Sequence, residues 1–170
     1  MVFKTVILAL ALVIVAPVFI YAAEEDCTLS SDALEEALDP KASNVKKILP
    51  TKKEDRHLKQ TVVFSNDVKL TYQVGGCEHY AYTLTYENVE KPKAKNLKSY
   101  TQLALDLIKQ TKFKAGKEEK VLTKSLEKGL QKSGAAKWPL DLGCQDAICQ
   151  IEVKPQGDKI TVVLSYDFAL

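Results

Sequence analysis

The sequence predicts an α+β domain: an antiparallel β-sheet of about five strands in two hairpin groups, with two central helices packed on one face and a short N-terminal helix. Three patterns lead to this fold. Apolar and polar residues alternate over residues 61–89 and again over residues 147–168, as half-buried strands require. Between these groups, over residues 96–133, apolar residues recur at helical spacing. Strands and helices grouped in this order are typical of an α+β domain.

The first 23 residues have the layout of a secretory signal peptide. Lys4 supplies a positive charge, residues 6–23 are uncharged and almost wholly apolar, and the small pair Ala22 and Ala23 precedes an acidic segment. We therefore expect residues 24–170 to form one exported domain. The apolar run is also close to the ~20 residues of a membrane span, so an uncleaved anchor is the alternative and the only membrane contact that we expect.

The charges of the chain argue against nucleic acid as a partner. The 24 basic and 22 acidic side chains nearly cancel, so no long-range field steers an anionic polymer to the protein. Only one basic residue, Arg56, is an arginine, the side chain that binds phosphate through paired hydrogen bonds. We therefore expect a protein partner and no nucleic acid.

Four cysteines lie beyond the leader, at positions 27, 77, 144 and 149. An even number in an exported chain indicates two disulfides. Three pairings are possible. Closeness in sequence favours Cys144 with Cys149, which leaves Cys27 with Cys77. A zinc half-site at Cys144 and Cys149 is the alternative, but the chain has only two histidines and no second close cysteine pair. We expect no metal and no cofactor.

Residues 24–60 are expected to hold a short helix followed by a connection over the surface. Asp32 can cap a helix over residues 30–38, and Pro40 follows its end. Residues 41–60 are polar and rich in lysine, which is typical of a solvated segment.

The first hairpin is expected to turn at Gly75 and Gly76. A two-residue turn there would send the apolar side chains of the second arm to the wrong face, because one residue of slip flips every side chain. A three-residue loop over residues 75–77 instead pairs Tyr72 with Tyr80 on one face.

Two helices are expected next. Asn96 can cap the first helix, and Glu118 and Glu119 suit the first turn of the second helix. We expect the second helix to end at Ser133 and Gly134. The apolar stripe of the first helix consists of Leu97, Tyr100, Leu103, Ala104, Leu107 and Ile108.

The second hairpin is expected to turn over residues 155–158. A four-residue loop there pairs Val153 with Ile160 and Ile151 with Val162.

Signatures of common catalytic sites are missing from the sequence. It contains no G-x-S-x-G elbow, no phosphate-binding G-x-x-x-x-G-K-[ST] loop and no H-E-x-x-H helix. His57 and His79 are some twenty residues apart and no third ligand is defined, so a metal site is poorly supported.

Two loop tips are the candidate binding elements. A tight turn and a disulfide account for Gly75, Gly76 and Cys77, but they leave Glu78 and His79 without a structural role. Gln145 and Asp146 lie in a second tip, between the cysteines that we expect to pair. Loops that a disulfide holds rigid lose little conformational entropy when they bind.

The sequence therefore predicts an exported, disulfide-stapled, non-enzymatic binding protein, of the type of a periplasmic inhibitor or immunity protein. One alternative is a small secreted hydrolase with an acid–histidine site near Glu78 and His79. A second alternative is a structural or adhesive component of the cell envelope, which would expose a sheet edge or an apolar patch.

Overall fold

The computed structural model describes residues 36–39, 41–54, 56–76, 79–114, 117–132, 134–144 and 146–169. All the strands belong to one antiparallel sheet, in the order β1-β3-β4-β5-β8-β7-β6, and β2 also pairs with β3. The elements in chain order are β1 (Val45–Ile48), β2 (Lys52–Glu54), β3 (His57–Phe64), β4 (Lys69–Gly75), β5 (His79–Glu90), α1 (Leu97–Gln110), α2 (Lys117–Gly129), β6 (Leu140–Asp141), β7 (Ile148–Gln156) and β8 (Lys159–Ala169).

The α+β class is confirmed, whereas the expected count of about five strands in two groups is wrong. The described residues form eight strands in a single sheet. The two groups merge because β5, which is 12 residues long, pairs with β4 on one edge and with β8 on the other. Merging satisfies backbone N–H and C=O groups that two separate hairpins would leave unpaired at their edges.

The core lies on one face of the sheet, which we call the core face. Both helices contribute buried side chains to the same apolar cluster, among them Ala104, Ile108, Leu122 and Leu126. The core-face side chains with at most 2% of their surface exposed include Leu58, Val62, Leu70, Val74, Tyr82, Leu84, Tyr86, Ile151, Val162 and Leu164. The opposite side of the sheet, which we call the polar face, carries the alternate residues, including Lys59, Thr71, Gln73, Thr83, Thr85, Gln150 and Ser165.

The first helix begins where its sequence predicts. The Asn96 side chain accepts a hydrogen bond of 2.9 Å from the backbone N–H of Ser99, which satisfies one of the free donors in the first turn. The buried stripe includes four of the six residues expected, and Tyr100 and Leu103 are partly buried beside it. The second helix ends at Gly129, earlier than expected.

The expected N-terminal helix is not found in its described part. Leu38 forms a β-bridge with Phe113, and its backbone N–H donates to the side chain of Gln60 at 3.1 Å. These contacts hold the backbone extended against the segment that follows α1. Residues 30–35 of the expected helix lie outside the described residues.

The expected surface connection over residues 41–60 contains β1, β2 and the first half of β3. Lysines occupy many of its exposed positions, so the segment lacks the apolar–polar alternation by which strands are predicted from sequence. Lysine is a frequent residue on edge strands, where it discourages pairing with other chains.

Both hairpins have a different register from the one expected. Tyr72 pairs with Leu84 instead of Tyr80, and the pairing of β4 with β5 ends at Gly75 and Ala81. Val153 pairs with Val162, so that the turn between β7 and β8 is only Gly157 and Asp158. In both cases the expected face is correct, because alternation with period two fixes the face of a strand but does not separate registers that differ by an even number of residues, here four in the first hairpin and two in the second.

Candidate binding surface

The two candidate loop tips lie at the same end of the sheet. Gly75 of β4 is opposite Ala81 of β5, Ala81 is opposite Asp167 of β8, and Asp167 is opposite Ile148 of β7. The first and last of these residues are thus three strand spacings apart, about 14 Å. Two tips that are 70 residues apart in sequence are therefore neighbours across one row of the sheet.

Gly75 is required by a close approach of two strands. Gly75 has φ +155°, and a Cβ on it would lie 2.2 Å from the carbonyl oxygen of Arg56 and 2.7 Å from the His57 ring. The N–H of Gly76 donates to the same Arg56 carbonyl at 3.2 Å. Glycine at position 75 therefore lets the His57 ring lie directly against the backbone of β4.

Several candidate residues of the first tip lie outside the described residues. These are Cys27, Cys77 and Glu78. The backbone of His79 begins β5 and pairs with Ala169, but its side chain is not among those described. The bridge between Cys27 and Cys77 and the acid–histidine site both remain predictions.

The second tip is closed by a disulfide. Cys144 pairs with Cys149, with their Cα atoms 5.6 Å apart. Cys149 is fully buried, and the N–H of Leu142 donates to its carbonyl oxygen at 2.8 Å. The hydroxyl of Ser125 on α2 lies 3.1 Å from the sulfur of Cys144. The disulfide loop is therefore anchored both to the sheet and to the helical layer. There is no free cysteine among the residues described.

The disulfide loop presents an apolar side chain to solvent. Ile148 has 58% of its surface exposed, and it is the single large hydrophobic residue of the described set with such exposure. Asp146 beside it is exposed and has φ +58°, in the left-handed region. Gln145 lies outside the described residues. Sequence reasoning named Gln145 and Asp146 but did not select Ile148. The alternation along β7 could have identified it, because Ile148 falls on the face opposite to Cys149 and Ile151 and is therefore turned away from the core.

A cleft of about 340 Å³ lies between β2, β3 and β4 on the polar face. Its lining residues are Lys52, Glu54, His57, Lys59 and Gln73. Sequence reasoning missed this cleft because it assigned residues 41–60 to a connection and so had no face on which to place these side chains. The row that contains Gly75 and Ile148 continues to His57, which is opposite Gly75, and to Glu54, which is opposite His57. The cleft and the disulfide loop thus flank the same row, about 19 Å apart by four strand spacings.

Within the described part of the chain, the ionisable groups with a shifted pKa lie away from this surface. Burial raises the pKa of the Tyr86 hydroxyl, and the carboxylate of Glu119 adds to this effect. Partial burial likewise raises the pKa of Glu119 itself. At the surface, a hydrogen bond from Lys46 lowers the pKa of Asp67, and a hydrogen bond to Glu90 raises that of Lys159.

No group of three or more potential metal ligands occurs within the described part of the chain. None of the described helices is both long and apolar enough to cross a bilayer. Comparison of the chain with protein-family models, with curated proteins and with solved structures gave no match.

Proposed function

We propose that this protein is an exported, non-enzymatic binding protein, of the type of a periplasmic inhibitor or immunity protein, and that it binds a protein partner through the end of the sheet that carries both loop tips. Export is supported by the layout of the first 23 residues. It is supported independently by the pairing of Cys144 with Cys149, because structural disulfides persist mainly in oxidising compartments.

The exposed Ile148 on the anchored disulfide loop is the observation that carries this proposal. An apolar side chain on a rigid loop provides contact area and loses little entropy on binding. Interfaces typically depend on a few such anchors, which are surrounded by polar residues. Here the exposed Asp146 and the polar-face residue Asp167 supply polar neighbours of that kind.

Affinity capture with three forms of the mature protein tests this function. The wild type, an Ile148→Asp variant and a Lys47→Asp control are each immobilised and exposed to the envelope fraction of the source cells. Lys47 is exposed on β1, which lies near the opposite edge of the sheet from β7 and its disulfide loop. We expect the wild type and the control to retain the same partner and Ile148→Asp to lose it, because a charge replaces the apolar anchor.

An Ile148→Ala variant measures how much the Ile148 side chain contributes to binding affinity. Loss of most of an isoleucine side chain from an interface should weaken binding of the purified partner by about tenfold or more. Retention of the partner at unchanged affinity by both Ile148 variants would show that the disulfide loop is not the binding element.

A further inference from the structure

Two lysines on the polar face are directly opposite each other in neighbouring strands. In the pairing of β2 with β3, Lys52 is opposite Lys59, and Glu54 is opposite His57. Directly opposite residues have their Cβ atoms about 4.5–5.5 Å apart, and like charges in this arrangement destabilise a sheet. The local sequence therefore places two positive charges together at an energetic cost.

No ion pair with a described carboxylate compensates this pair of lysines. Among the described residues, neither Lys52 nor Lys59 takes part in an ion pair, and both are exposed. Other lysines of the same sheet do form ion pairs with carboxylates; for example, the ammonium group of Lys69 lies 2.6 Å from the carboxylate of Glu87. A violation of this local rule without a compensating contact is most often found at functional sites.

Lys52 and Lys59 line a cavity together with a neutral hydrogen-bond donor, the side-chain amide of Gln73. The cleft of about 340 Å³ contains the amide of Gln73, which is opposite Lys59 in β4, and the ring of His57. Its volume is at the lower end of the range typical for small-molecule sites. A single carboxylate, that of Glu54, is the only acid among the lining residues.

The backbone holds one wall of this cleft in place. Because a Cβ at position 75 would lie 2.7 Å from the His57 ring, that ring packs on the bare backbone of Gly75. The wall is therefore formed before any ligand arrives, which lowers the ordering cost of binding.

We propose that this cleft binds a small molecule through an oxyanion, a carboxylate or a phosphate group, held between the ammonium groups of Lys52 and Lys59 with Gln73 as an additional donor. An anion placed there removes the repulsion between the two lysines and adds charge-assisted hydrogen bonds. The residues proposed to hold this anion differ from Ile148, the anchor of the proposed protein-binding function, so the two proposals are tested by different variants.

Titrations monitored by NMR test this site with two probes, inorganic phosphate and succinate, at constant ionic strength with chloride as the reference anion. For the mature wild type, we expect saturable shifts of the backbone amides of β2, β3 and Gln73 with Kd of about 1 mM. Saturation by phosphate alone indicates a phosphorylated ligand, and saturation by succinate alone indicates a carboxylate. Absence of saturation by both probes up to about 50 mM overturns the proposal.

A matched pair of double variants separates the site from net charge. Lys52→Gln with Lys59→Gln removes two charges from the cleft, and Lys47→Gln with Lys53→Gln removes two exposed charges of β1 and β2 that do not line it. We expect Kd to rise at least tenfold in the first variant and to stay unchanged in the second. Equal weakening in both would show that only the net charge matters, and would refute the site. The single Lys52→Gln variant gives the same readout if the double variant folds poorly.

Discussion

Alkaline pH is expected to destabilise this protein through one buried tyrosine. The Tyr86 side chain is fully buried, and its hydroxyl lies 3.0 Å from the hydroxyl of Thr111. Thr111 donates its own proton to the carbonyl oxygen of Leu107 at 2.8 Å, so Tyr86 must be the donor to Thr111. Burial raises the pKa of Tyr86 above its ordinary value of 10.0, because a phenolate cannot be solvated in the core.

The sign and size of the effect follow from proton linkage. Above pH 10 the unfolded chain loses the Tyr86 proton while the folded protein keeps it, so the free energy of unfolding falls as the pH rises. At pH 11 the solution is about one pH unit above the pKa of tyrosine in the unfolded chain. The free energy of unfolding is then lower by about 1.4 kcal/mol through Tyr86. At pH 8 a Tyr86→Phe variant should be less stable than the wild type by about 1 kcal/mol, the net value of the lost hydrogen bond.

Urea unfolding of the wild type and of Tyr86→Phe at pH 8, 10 and 11 measures this difference. Every other ionisable group is common to both proteins, so the comparison isolates Tyr86. We expect the advantage of the wild type at pH 8 to disappear by pH 11. A difference that stays constant over this range would refute the reasoning, since it would mean that Tyr86 titrates alike in the folded and unfolded states.

Three further predictions test local features. Gly75→Ala should lower the free energy of unfolding by about 2–3 kcal/mol, because its Cβ meets the Arg56 carbonyl. Gly134 also has a positive φ, but a Cβ there would meet no atom within 4 Å, so Gly134→Ala should lower the melting temperature less than Gly75→Ala. Equal losses in the two variants would show that the clash at position 75 does not determine the effect. Asn96→Ala should cost about 1 kcal/mol in urea unfolding through loss of the cap, and Asn96→Asp close to nothing; equal loss in both would contradict capping. Replacement of Cys144 and Cys149 by alanine should cost at least about 2 kcal/mol by the chain-entropy model, and an unchanged melting temperature would count against the bridge.

The sequence predicted best where the signal is local. The start of α1 depends on Asn96 and Ser99, three residues apart, and the cap is found as expected. The buried stripe of α1 likewise follows from spacing within the helix. Such features depend on neighbours in the chain, so that no knowledge of the remaining fold is needed.

The candidate surface could be predicted only in part. The pairing of Cys144 with Cys149 follows from their closeness in sequence, and it is found. The exposure of Ile148 depends on what packs beside the loop, and the cleft depends on the pairing of β2 with β3, which polar lysine-rich segments do not reveal. The adjacency of the two tips required the pairing of β5 with β8, which the sequence analysis did not predict.

The amino-acid sequence by itself determined the fold class, the helical region, the face of most strands and the short disulfide, because each of these follows from periodicity or proximity along the chain. The tertiary structure decided the registers, the single eight-stranded sheet and the neighbours of each surface residue. The physical reason is that alternation with period two is satisfied equally well by registers that differ by any even number of residues. The choice between them is made by packing and hydrogen bonding between segments that are distant in sequence.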